Sequence, residues 1–219
     1  MIVEFGPRDS QALLRREQVQ EEAEARDDEP ERHHGETRAD PREQRTLGPI
    51  DAVAIVSREL GVPINDHDAH ELAEIFGSAI LHHPPVAIPG GLEAVRAAAQ
   101  QFPIAIISDA GISPGKSLRT ILERNGYAAH FKHMAFSDEV GVAKPQALMF
   151  DSAARALGVE TNELLHIGDL EGTDIRGAKA VGARAALFLG DHDRYRTNNS
   201  ADYIIEDWKH FLELLSTIV

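Results

Sequence analysis

Apolar residues recur at helical spacing in two stretches of the first half of the chain, so residues 50–60 and 68–81 predict amphipathic helices. Gly61 ends the first, and the prolines Pro84 and Pro85 end the second. From Pro89 the rhythm changes. A helical stretch over 92–101 precedes a short apolar run over 104–107. Ser113 and Pro114 then read as N-cap and first residue of a helix that Gly126 closes. Residues 134–136 read as a strand, and Pro145 opens a helix that Gly158 ends. A strand over 164–167, a helix over 174–181, strands over 185–189 and 203–205 and a helix over 208–218 complete the pattern. Helices and strands that alternate with short loops predict a Rossmann-like α/β core with a parallel sheet covered on both faces. Ligands of such sheets bind beyond the carboxyl ends of the strands, so chemistry is sought just after each strand.

The segment before these helices has a different composition. Residues 15–45 are crowded with Glu, Asp and Arg and hold almost nothing large and apolar. Residues 11–26 have the propensity for a charged helix. A stretch at about 27–45, with Pro30, Gly35 and Pro41, has no apolar face to bury and reads as a mobile charged loop. His33 and His34 lie in it without a third metal ligand nearby, and read as solvated. Residues 1–10 offer a first core strand at residues 2–5, residues 11–85 a small α-helical cap-like region, and residues 86–219 the α/β core.

The whole-chain arithmetic narrows the function. In 219 residues, 22 basic against 36 acidic side chains give a net charge of −14. That balance argues against a nucleic-acid partner, which calls for clustered cations. With no cysteine there is no disulfide, thiolate metal site or cysteine nucleophile. No apolar run approaches the ~20 residues of a membrane span, and a cytoplasmic protein with no membrane partner is the expectation.

Three strand ends carry candidate chemistry. After the first comes Ser108-Asp109-Ala110-Gly111, where the hydroxyl can donate to a phosphoryl or carboxyl oxygen; such residues are also common in plain turns. After the next comes Lys144-Pro145. A cation just before a helix start sits against the macrodipole and calls for acidic partners or an anionic ligand, unless its stem carries it into solvent. The third end is Gly168-Asp169, with Asp174 at the start of the next helix; two such carboxylates suit magnesium, and Asp174 also suits a helix cap. His166, inside the strand, reads as a packing residue.

In order and spacing, Ser108, Lys144-Pro145 and Gly168-Asp169 to Asp174 resemble the haloacid dehalogenase superfamily of hydrolases. The match to its last motif runs over residues 167–182, and the resemblance covers about residues 86–219; the helical region before it is similar to that family's cap in position and length. The resemblance implies phosphoryl transfer from a small phosphorylated metabolite to an aspartate, followed by hydrolysis of the aspartyl-phosphate. It implies Mg2+ at Asp169 and Asp174, a phosphate site at Ser108, Asp109 and Lys144, and catalytic roles for Lys144 and Ser108, with Asp174 steadying the lysine. The Asp169 acid favours phosphatase chemistry over dehalogenation.

The chain departs from the family at its nucleophile, an Asp-x-Asp-x-Thr after an apolar N-terminal strand. Residues 2–5 are followed by Gly6-Pro7-Arg8-Asp9-Ser10, which does not fit. Asp66-His67-Asp68 precedes a helix, and Asp191-His192-Asp193 comes after the metal-binding segment and reads as an exposed loop. Two readings remain. Either the reading frame begins upstream and the chain is a magnesium-dependent phosphomonoester hydrolase, or it is a non-catalytic binding or regulatory protein on the same fold. Asp109, where the family more often has Asn, slightly favours drift.

Overall fold

The computed structural model describes residues 2–4 and 46–217. The expectations for residues 11–45, including the charged helix, the loop and its paired histidines, lie outside the described residues, as does Asp9.

Six strands form one sheet: β1 (Ile2–Glu4), β2 (Ile104–Ser108), β3 (His133–Phe136), β4 (Leu164–Gly168), β5 (Arg184–Phe188) and β6 (Tyr203–Ile205), in the order β3-β2-β1-β4-β5-β6. Neighbours β2 and β3, β4 and β5, and β5 and β6 pair in parallel. Strand β1 breaks the rule. It fills the central position but runs antiparallel to both neighbours, with Ile2 opposite Ala105 and His166 and Glu4 opposite Leu164. The strand expected at the start of the chain is therefore present, but it points its carboxyl end away from the edge where β2 and β4 deliver their residues.

Side-chain alternation gives each face its own core. On one face Ala105, Ile107, Leu164, Ala185 and Leu187 pack against α6 (Ala147–Leu157) and α7 (Arg176–Ala180). On the other, Ile104, Leu165, Ile167, Ala186 and Phe188 pack against α3 (Gly91–Gln101) and α8 (Trp208–Thr217). This two-faced burial explains why the core strands are near-continuous apolar runs rather than alternating ones.

Helices α1 (Pro49–Leu60) and α2 (Asp66–His82) form the helical pair expected before the core. Gly61 closes α1 in the left-handed conformation, φ 64°, which glycine adopts without a steric penalty. The pair is tied to the core through α4 (Gly115–Arg124), where the buried Ser117 hydroxyl donates to the Gly77 carbonyl at 2.7 Å. Two helix starts differ from expectation. Pro114, not Ser113, is the N-cap of α4, and Ser113 makes no capping bond there. The short α5 (Ser137–Val140) follows β3, and Pro145 stands before α6, whose N-cap is Gln146. Among the described residues no helix is long and apolar enough to cross a membrane.

Candidate functional site

The carboxyl ends of β2, β3 and β4 converge on a buried ion pair. Lys144 Nζ donates to Asp174 Oδ1 at 2.6 Å, with the lysine side chain 11% and the aspartate 3% exposed. Asp174 does not open a regular helix. It lies in a π-turn, Glu171–Ile175, that precedes α7, and the wider turn carries its carboxylate back under β4. There Oδ2 accepts the Leu170 N–H at 3.0 Å, and Oδ1 also accepts from His166 Nε2 at 3.1 Å. A side chain at position 168 would collide with this group, since a Cβ there falls 2.4 Å from the Asp174 Cβ. That contact is why Gly168 ends the strand.

His166 was read as a packing residue and is that and more. It is fully buried, packs edge-on against Phe150 at 5.3 Å, and holds the Asp174 carboxylate. Burial pushes its imidazole down from 6.5 to about 4, against the pull of the hydrogen bond to Asp174. The ring is therefore neutral at pH 7, and Nε2, facing a carboxylate, carries the proton. For Asp174, burial opposes the charge. The hydrogen bond from His166 and the ammonium of Lys144 outweigh it and hold the carboxyl well below the usual range.

A pH dependence follows from His166. Between pH 6.5 and about 4 the unfolded chain binds a proton that the folded chain refuses. Its contribution to stability is whole above pH 6.5 and is lost as the pH falls towards 4. At about 1.4 kcal/mol per pH unit, the full loss is about 3 kcal/mol. Urea unfolding at pH 7 and pH 4.5 should show this slope, and His166→Gln should remove most of it. An equal slope in the variant would assign the acid lability to other groups.

The other expected residues surround this pair. Ser108 ends β2, and the exposed Asp109 follows it and accepts the Lys144 backbone N–H through Oδ1 at 2.9 Å. The turn is fixed from beneath by Ser137, fully buried, whose hydroxyl oxygen accepts the Ala110 N–H at 2.8 Å. Ser137 was missed, although it follows a strand as Ser108 ends one.

Asp169 is 40% exposed, on the opposite face of β4 from His166, and its Oδ2 lies 3.2 Å from His192 Nε2. The ligand atoms of Asp169, Asp191 and His192 lie within 4.8 Å of one another. The segment read as an exposed loop thus stands beside the metal-binding candidate. A second missed residue lies in the turn after Asp169. Glu171, nearly buried, accepts the Ser200 N–H at 3.1 Å and hydroxyl at 2.8 Å, and Arg176 Nε at 3.1 Å. The Asp66-His67-Asp68 run sits elsewhere, at the start of α2, where Asn65 caps the helix by accepting the Asp68 N–H.

The arrangement revises one expected role. Both oxygens of Asp174 already accept hydrogen bonds, and the residue is 2% exposed. It suits a partner of Lys144 and does not suit a direct metal ligand.

Comparison with known proteins agrees with this geometry. The chain is 34% identical over 90 residues to a glyceraldehyde 3-phosphate phosphatase of Pyrococcus furiosus, covering 39% of this chain and 37% of that one. It is 33% identical over 129 residues to the pyrimidine 5'-nucleotidase YjjG of Escherichia coli K12, covering 58% of this chain and 56% of that one. The chain thus spans little more than half of such relatives, or less. Among solved structures, a phosphatase of the same superfamily from Thermococcus onnurineus superposes with a TM-score of 0.55 at 24% identity, over 76% of this chain and 87% of that one, a likeness of fold. The family match itself is broad: residues 10–182 fit the description "haloacid dehalogenase-like hydrolase". With its parallel strand ends, its Lys144–Asp174 pair and that match, the chain belongs to the haloacid dehalogenase-like hydrolases.

Proposed function

We propose that the crevice beyond β2 and β4 binds the phosphoryl group of a small phosphomonoester, in the manner of a magnesium-dependent phosphatase. The observation that carries this reading is the Lys144–Asp174 pair. A cation that is 11% exposed at a strand end, held on one side by a carboxylate, has two further N–H donors for an anion. Ser108, at the end of β2, would donate a hydrogen bond to the same phosphoryl group, and Asp109 would hold the loop of Lys144 through its backbone N–H. Names of relatives such as glyceraldehyde 3-phosphate phosphatase and phosphoserine phosphatase support a small phosphorylated substrate.

The donor set fits magnesium. Asp169 and Asp191 offer hard carboxylate oxygens in a half-open position, which suits an ion that keeps several waters and takes one or two carboxylates beside substrate oxygens. Bound there, the ion would screen the charge of the phosphoryl oxygens. Lys144 neutralises the face turned to it and is held by Asp174 and, behind that, by neutral His166. Helices α1 and α2 take the place of a cap over the core, docked through Ser117.

A second reading has its own observation. Strand β1 runs backwards, so within the described residues no carboxylate ends a strand between Ser108 and Asp169. On that reading the chain as it stands binds phosphoesters and hardly turns them over.

Magnesium should raise the stability of the folded chain on either reading. Asp109, Asp169 and Asp191 share this edge of the sheet, and a divalent cation relieves their repulsion. At a hundredfold excess over its dissociation constant a ligand adds about 2.7 kcal/mol. Melting curves in millimolar magnesium should shift upward, and Asp169→Asn should abolish the shift. A wild-type curve that ignores magnesium would count against a metal site here.

A further inference from the structure

Strands β4 and β5 pair in parallel, Gly168 opposite Leu187, so the residues that follow them leave the sheet side by side. Asp169 follows β4 directly. After β5 the chain runs through Leu189 and Gly190 to Asp191 and His192. Gly190 leaves room for the Phe188 ring, which a Cβ at that position would strike. The turn brings His192 Nε2 to 3.2 Å from Asp169 Oδ2, with the two side chains 30% and 40% exposed. The imidazole packs edge-on against Tyr195 at 6.0 Å, and Tyr195 packs on the core that holds Leu187 and Leu189. Nδ1 of His192 is buried and has no hydrogen-bond partner among the described residues. The polar side of this ring is the one turned to Asp169.

We propose that His192 is a nitrogen ligand of the cation held by Asp169 and Asp191, and that this site takes a first-row transition-metal ion, Co2+, Ni2+ or Zn2+, ahead of Mg2+. This rests on the reading that places a divalent cation at Asp169. The ligand atoms of the three residues lie within 4.8 Å of one another. Two neighbouring ligands with bonds of about 2.1 Å stand roughly 3.0–3.4 Å apart at octahedral or tetrahedral angles. The 3.2 Å between Nε2 and Oδ2 lies in that range. Asp191 is exposed and can turn its carboxylate to complete a face of three donors. Magnesium takes oxygen ligands and keeps its waters, so it gains little from an imidazole. The later first-row ions bind imidazole well, and sites of mixed nitrogen and oxygen favour them. Two carboxylates balance the charge of a divalent ion, and neutral imidazole adds a bond without adding charge. Coordination through Nε2 puts the ring proton on Nδ1, the buried nitrogen.

The test uses the full chain, with one ion added at a time and no phosphoester present. Calorimetry should give Co2+ a dissociation constant at least about tenfold below that of Mg2+. His192→Ala should weaken Co2+ at least about tenfold and leave Mg2+ within about twofold, because both carboxylates remain. By NMR the Co2+ form should show one strongly shifted, slowly exchanging imidazole N–H proton, that of the buried Nδ1, and His192→Ala should remove it. His67→Ala, at the start of α2, should change none of these results. Should His192→Ala fail to fold, His192→Gln puts a hard amide oxygen in place of the nitrogen and should lose the Co2+ preference in the same way. A Co2+ to Mg2+ ratio that the His192 variant leaves unchanged overturns the role of His192, and so does a Co2+ signal lost in His67→Ala. In either case Mg2+ binding that Asp169→Asn abolishes leaves the cation reading standing. Saturable binding of neither ion overturns both.

Discussion

Asp174→Ala should destabilise the protein by about 3–5 kcal/mol, the range seen when one partner of a buried ion pair is removed. The substitution strands three donors at once: Lys144 Nζ, His166 Nε2 and the Leu170 N–H. Lys144 then keeps a charge that is 11% exposed and has lost its carboxylate partner, which is the costly part. Against a typical total stability of about 5–15 kcal/mol, the variant sits near the threshold of folding. Asp174→Asn keeps the volume and one acceptor and should fall between the two. Adding Lys144→Met to Asp174→Ala should recover part of the loss, because the stranded charge goes while the two other donors remain. Urea unfolding of the four proteins measures this directly. A cost for Asp174→Ala of less than about 1 kcal/mol would mean that solvent reaches the pair freely, as at surface ion pairs.

The parts of this molecule legible in the sequence are those whose signal is local. Strands β2 and β4 are dense apolar runs bounded by turn residues, and Gly61 and Gly158 mark helix ends because their left-handed conformations suit glycine. Ser108, Lys144 and Asp169 could be singled out as candidates because strand ends in a parallel sheet are where ligands bind. The direction of β1 was not legible: three apolar or extended residues read the same in either sense, and only the pairing register decides. The resemblance implied that Asp174 steadies Lys144, but not the turn that buries it. Its spacing suits a helix cap, and the π-turn that swings it beneath β4 leaves no mark in a pattern of apolar positions. His166 looked like packing because burial was the visible half of its role; its partner lies across a turn. Asp191 and His192 looked like loop residues because their approach to Asp169 is a long-range contact that no local pattern marks.

The purified chain should hydrolyse generic phosphomonoesters feebly at most, while still binding phosphate. On the proposed reading Lys144 and Ser108 hold and polarise a phosphoryl group, but the attacking group must also be held in line with it. An aspartate at the carboxyl end of the central strand would have that position, and β1 instead directs Glu4 to the opposite edge, opposite Leu164. Among the described residues, the acids at this edge are engaged or misplaced for attack. Asp174 is buried behind Lys144, Asp109 accepts the Lys144 N–H, and Asp169 contacts His192. Water attacking directly forgoes both the covalent route and a pre-oriented nucleophile. A loss of about 4 kcal/mol of barrier lowering corresponds to about a thousandfold in rate. The assay is a panel of phosphomonoesters with magnesium, run beside Lys144→Ala, with phosphate binding followed by calorimetry. Binding that Lys144→Ala weakens, with turnover near the buffer rate, is the expected result. Robust turnover that Lys144→Ala abolishes would show that this chain supplies its own nucleophile, and Asp9 would be the first residue to replace.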